Sequence, residues 1–89
     1  MVLALSHRMS ASPDHIRKRI RQMLETGAIP CEEADKVWAG HGSGSHCAAC
    51  GDPIAPADIE YEVDLRSGPT LRLHRACHEI WRSECEPEQ

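Results

Sequence analysis

The chain has 89 residues with 10 basic and 14 acidic side chains, a formal net charge of -4. It lacks phenylalanine and carries only Trp38, Tyr61 and Trp81 as aromatics, so burial of large side chains is too scarce to hold a domain alone. That leaves room for one small domain that recruits a disulfide, a metal or a second copy of itself, and the five cysteines favour the first two.

The only apolar run near the amino terminus is Val2-Leu3-Ala4-Leu5, shorter than a secretory core of about 7–15 residues. No stretch approaches the roughly 20 apolar residues of a membrane span. The expected location is therefore cytoplasmic, where spaced cysteines serve metals or redox chemistry more often than permanent bridges. The charge is uneven. Residues 1–24 carry five basic side chains and one acidic, residues 25–89 five basic and thirteen acidic. The two parts should face different partners or each other.

Residues 1–12 read as a disordered tail. Ser12-Pro13-Asp14 then has the marks of a helix start: a capping hydroxyl, proline in the first turn and an acid at the positive end of the dipole. Ile16, Ile20, Met23 and Leu24 form one apolar stripe, and Gly27 ends the helix. Arg17, Lys18, Arg19 and Arg21 make its other faces basic. A second, shorter helix is expected over Glu32–Trp38 with Ala34, Val37 and Trp38 on its apolar side, so that 13–39 is a helical segment. The glycines and serines of "AGHGSGSHC" make 40–46 a flexible linker.

A cysteine module occupies 47–85, and 86–89 is a second disordered tail. Ile59, Tyr61, Val63 and Leu65 alternate with Glu60, Glu62 and Asp64, and Leu71 and Leu73 alternate with Thr70, Arg72 and His74: two strands of a hairpin with a wet, acidic outer face. Pairing Leu65 with Leu71 and Val63 with Leu73 makes the loop five residues long and sets Asp64 across from Arg72; a three-residue loop would ask Pro69 for a left-handed conformation. A helix over about Arg75–Glu84 follows, with Cys77, Ile80 and Trp81 at helical intervals.

Within this frame the spacing C-x2-C-x23-H-x2-C names four metal ligands, Cys47, Cys50, His74 and Cys77. Three thiolates and an imidazole suit tetrahedral zinc, and a two-residue spacer lets one tight turn aim two sulfurs at one point. Such a site is closed and structural, one ion per chain. A redox pair would place Cys47 at a helix amino terminus after a strand; a linker precedes it instead. His46 and His78 read as surface imidazoles beside the ligands, and His7, His15 and His41 as exposed. Cys31 and Cys85 stand at no metal spacing and read as free thiols, with a bridge or a metal-driven dimer as the less favoured alternative.

The order of zinc knuckle, hairpin and ligand-bearing helix resembles the treble-clef zinc fingers. The stretch "CAACGDPI…EYEV…LRLHRACHEIW" also looks like a family of small uncharacterised bacterial zinc-binding proteins. The resemblance covers about 38–82 and rests on the four ligands, Gly51 and Trp81. It implies an α+β fold and a metal, but no reaction. No histidine lies in the first hairpin strand to serve a nuclease, and "GHGSGS" lacks the Lys-Ser/Thr ending of a phosphate loop, so no catalytic residues are expected. Two functions remain: a non-catalytic protein-interaction adaptor or regulator, and a nucleic-acid-binding regulator using Arg17, Lys18, Arg19 and Arg21. The acidic module opposes the second.

Overall fold

A computed structural model describes residues 12–86. Both expected tails fall almost wholly outside them. Helix α1 (Pro13–Thr26) begins as its sequence dictates: the Ser12 hydroxyl accepts from the His15 amide at 3.2 Å, and Gly27 closes it at φ 83°, its amide bonding back to the last turn. Strands β1 (Ala34–His41), β2 (Ile59–Leu65) and β3 (Thr70–His74) form one antiparallel sheet in the order β1-β2-β3. Helix α2 (Arg75–Cys85) follows β3 without a break. The fold is thus small α+β, with two helices and three strands. No helix among the described residues is long and apolar enough to cross a membrane.

The expected helix over Glu32–Trp38 is a strand. Val37 lies opposite Val63 and Ala39 opposite Tyr61, so the segment completes one edge of β2 rather than closing on itself. Helical spacing of three apolar residues was too weak a signal against β-forming Val37 and Trp38 and a strand edge awaiting a partner. Its entry is fixed from behind: the Trp81 indole N–H donates to the Pro30 carbonyl at 2.9 Å, and Cys31 is bonded to Cys85 with Cα atoms 5.4 Å apart. The free-thiol reading of those two cysteines is therefore overturned; 54 positions apart in sequence, they meet because α2 returns to the start of β1.

The segment 40–46 is likewise no flexible linker. Gly40 and His41 belong to β1, and the rest is laced to 52–58: the Gly42 amide donates to the Asp58 carbonyl at 3.0 Å, Gly44 to Ile54 at 2.9 Å, and Ile54 returns to Ser45 at 2.8 Å. A Cβ on Gly42 would overlap the Ala55 carbonyl oxygen, so this glycine permits close backbone approach, not mobility.

The hairpin keeps the expected faces but in another register. Val63 pairs with Leu71, Tyr61 with Leu73, Glu62 with Arg72 and Asp64 with Thr70. The loop has three residues, closed by Leu65 N–H to the Pro69 carbonyl at 2.9 Å, and the positive-φ position falls on Gly68 at 119° rather than on Pro69. The outer face is not uniformly wet either. Glu60 is buried, accepting from the Ser43 amide and hydroxyl at 2.8 Å each and from Arg72 at 2.9 Å; these donors hold its carboxyl below the usual range.

One core joins both parts of the chain. Ile16 and Ile20 of α1, which packs on α2, belong to the same buried cluster as Val63, Leu73, Ile80 and Trp81, with Trp81 and Leu73 fully buried. A salt-bridge clasp reinforces this packing: the Glu84 carboxylate receives Arg17 at 2.9 Å and Arg21 at 2.8 Å. Their guanidiniums keep the Glu84 carboxyl below its ordinary pKa, Arg21 contributing more than Arg17. Glu84→Gln is expected to cost about 1 kcal/mol in urea unfolding at neutral pH. A carboxyl with a depressed folded pKa stabilises above its unfolded value of about 4.3 and loses that contribution as pH falls through the folded value. The difference between wild type and variant should therefore vanish in acid.

Removing the bridge by Cys31→Ser with Cys85→Ser is expected to lower stability by about 2–4 kcal/mol, since it frees a long loop in the unfolded chain. Thermal unfolding of oxidised wild type beside the double variant measures it.

Candidate metal centre

The centre is assembled from three places. Cys47 follows a bridge between His46 and Pro53, its amide donating to the Asp52 carbonyl at 2.8 Å, and a tight turn carries the chain to Cys50. Gly51, at φ 86°, brings its amide back to the Cys47 carbonyl at 2.9 Å; few residues other than glycine adopt that conformation. The Ala48 amide donates to the Arg72 carbonyl at 2.8 Å, docking this knuckle against β3. His74 ends β3 and caps α2, whose first turn then carries Cys77.

The four potential ligand atoms of Cys47, Cys50, His74 and Cys77 lie within 4.8 Å of one another. His74 Nδ1 is 3.4 Å from Cys50 Sγ and 4.0 Å from Cys77 Sγ. A tetrahedral ion with metal–sulfur bonds of about 2.3 Å sets its ligands roughly 3.8 Å apart, so the residues fit such an ion with small adjustments. Cys47 and Cys77 are buried, Cys50 and His74 half-buried. All four residues expected from spacing converge.

The surroundings favour the thiolate at Cys47 alone. A hydrogen bond from the Cys77 thiol, aided by backbone amides of Cys50, His74 and Ala49, holds Cys47 well below the ordinary thiol range despite burial. Cys77, as that donor and as a buried group, is pushed up; burial pushes Cys50 up as well. A divalent ion held by these residues would replace those two protons, because ligating sulfur must be ionised.

Two residues outside the spacing pattern complete the site. Asp58 Oδ2 lies 3.8 Å from His74 Nε2, on the side of the ring away from the sulfurs, and is itself anchored by the Ala55 amide at 3.2 Å. At 3.8 Å the pair is not hydrogen-bonded; drawn closer, the carboxylate would accept from Nε2–H and favour the tautomer that leaves Nδ1 free to ligate. Asp58→Ala is expected to weaken metal affinity about 10–100-fold in competition with a chromophoric chelator. Arg19 donates through Nε to the Ala49 carbonyl, and its Nη2 is 3.4 Å from where a Cβ on Gly51 would stand. Three thiolates around a divalent ion would leave one net negative charge, and Arg19 is the cation docked on the knuckle that carries two of those sulfurs.

The i, i+4 spacing of Arg17 and Arg21 on one helix face could have pointed to a shared carboxylate, but nothing in the sequence marks Glu84 as its owner. Of the neighbouring imidazoles, His46 is exposed with Nδ1 2.9 Å from the Gly51 carbonyl. His78 is not on the surface as expected: it is half-buried and stacked on Tyr61 at 4.6 Å between ring centres, and burial lowers its pKa.

The arrangement can hold a metal and tie the knuckle to the sheet and α2. Compared with protein-family models, curated proteins and solved structures, the chain matches none.

Proposed function

We propose that this chain is a structural-zinc protein, a treble-clef-like scaffold that acts as a non-catalytic protein-interaction adaptor or regulator. One observation carries the reading: Cys47, Cys50, His74 and Cys77 gather their ligand atoms within 4.8 Å at the junction of knuckle, hairpin and helix. Sulfur-rich tetrahedral donor sets favour zinc, and four protein ligands leave no open position for a reacting water. The ion's role is mechanical. It closes a loop from Cys47 to Cys77 in a domain with little aromatic core, and the sheet so held presents Val37 and Trp38, 46% and 56% exposed, for contact.

The alternative, nucleic-acid binding through the basic helix, loses support from the partners of its residues. Arg17 and Arg21 are engaged by Glu84, and Arg19 by the knuckle, which leaves Lys18 without a recorded protein partner among the described residues. The test is binding of fluorescent random-sequence duplex and single strand across a salt series. Weak association with a shallow salt slope is expected; a steep slope abolished by changing Arg17, Lys18, Arg19 and Arg21 would reverse the assignment.

The metal-ligating thiols suit a cytoplasmic location, whereas the Cys31–Cys85 bridge suits an oxidising one. The mass of freshly prepared protein after alkylation, which reads the state of that pair, decides between them.

A further inference from the structure

β1 is an edge strand, and among the described residues nothing pairs with its outer side. Seven of its eight residues are exposed. Strands in this position form templates for further pairing unless proline, unshielded charge or a central bulge protects them. β1 has no proline; its two charged residues, exposed Asp35 and Lys36, and its one irregularity all sit near its start, with Lys36 over its own Trp38 at 5.9 Å, which leaves Val37 to His41 without acid, lysine or bulge.

We propose that the partner of this edge is a second copy of the chain, β1 against β1, antiparallel about a two-fold axis at Trp38, joining two three-stranded sheets into one of six strands. A two-fold perpendicular to the sheet keeps each side chain on its own face, and residues directly opposite each other share a face, so the axis must pass through a residue and not between two. Centring on Lys36 would oppose like charges, centring on Val37 would set Lys36 against Trp38 and Asp35 against Ala39, without an aromatic pair or a partner for the acid, and centring on Ala39 would leave Trp38 against Gly40. Trp38 at the axis meets its counterpart in an aromatic pair, Val37 meets Ala39 on the other face, and the acidic start of the strand at Asp35 meets His41 at its end. Val37 and Ala39 share the face of buried Val63 and half-buried Tyr61 through their register with β2, so their pairing would extend the edge of that apolar layer.

Edge pairing alone would bury less than the roughly 1,200 Å² of stable interfaces, so the dimer is expected to be weak and reversible. The inference gives to a second copy the Val37 and Trp38 surface that the adaptor reading offers to a partner, and it does not depend on the identity of the metal.

Sedimentation equilibrium of the full chain, metal-loaded, tests it for wild type, Trp38→Lys and Val37→Lys. The expected result is a monomer–dimer equilibrium in wild type, weakened at least about tenfold by Trp38→Lys with thermal unfolding of the dilute monomer unchanged. Val37→Lys weakens it independently from the other face and serves where the tryptophan variant does not fold. A monomer at every concentration overturns the proposal, as does a dimer indifferent to both changes. Dimerisation seen only after deletion of residues 1–11 would assign the edge to that segment and overturn it too.

Discussion

Cys77→Ser is expected to abolish tight metal binding and to cost about 4 kcal/mol or more, a large share of the roughly 5–15 kcal/mol that holds a domain of this size together. The position is buried at the first turn of α2, where its sulfur faces both Cys47 and His74. Serine supplies no ligand of comparable softness and leaves three donors around the ion. Urea unfolding of metal-loaded wild type and variant gives the difference, and wild type stripped by chelator should approach the variant. The same centre predicts a proton count. With Cys47 already ionised and Cys50 and Cys77 pushed up, binding at neutral pH should release about two protons, read by calorimetry in buffers of different ionisation enthalpy. Affinity must then fall as pH falls, because protons compete for the sulfurs.

The second large effect is expected at Trp81. Its ring is 1% exposed and sits between α1, the sheet and the start of β1, and its indole N–H serves the Pro30 carbonyl. Trp81→Ala removes the only fully buried aromatic among the described residues and should cost about 3–5 kcal/mol. Trp81→Phe keeps most of the apolar contact but leaves that carbonyl without its donor, so it should cost less, about 1–2 kcal/mol. A deficit for phenylalanine as large as for alanine would mean that the hydrogen bond, and not burial, fixes β1. Denaturant unfolding with unchanged metal content separates this effect from loss of the ion.

Much of the candidate site was legible because local chemistry sets it. Two short Cys-x2-Cys and His-x2-Cys spacings needed only a turn and a helix entrance to converge, and α1 announced itself through Ser12, Pro13 and Gly27. The hidden parts all depend on distant partners. Residues 34–41 become a strand because β2 offers an edge, Cys31 pairs with Cys85 because α2 returns to that edge, and Glu60 is buried because Ser43 and Arg72 supply its hydrogen bonds. The Gly-Ser stretch misled for a different reason. Glycine serves both mobility and close packing, and only the Ala55 carbonyl beside Gly42 tells which. Asp58 carried no signal, since its role exists only once His74 is placed.

Native mass spectrometry of the purified chain before and after a strong chelator, with circular dichroism on the same samples, tests the central claim most directly. The account predicts one zinc ion per chain, its loss on chelation and a concurrent loss of folded signal, both restored by added zinc. A metal-free chain as well folded and as heat-resistant as the untreated protein would contradict it.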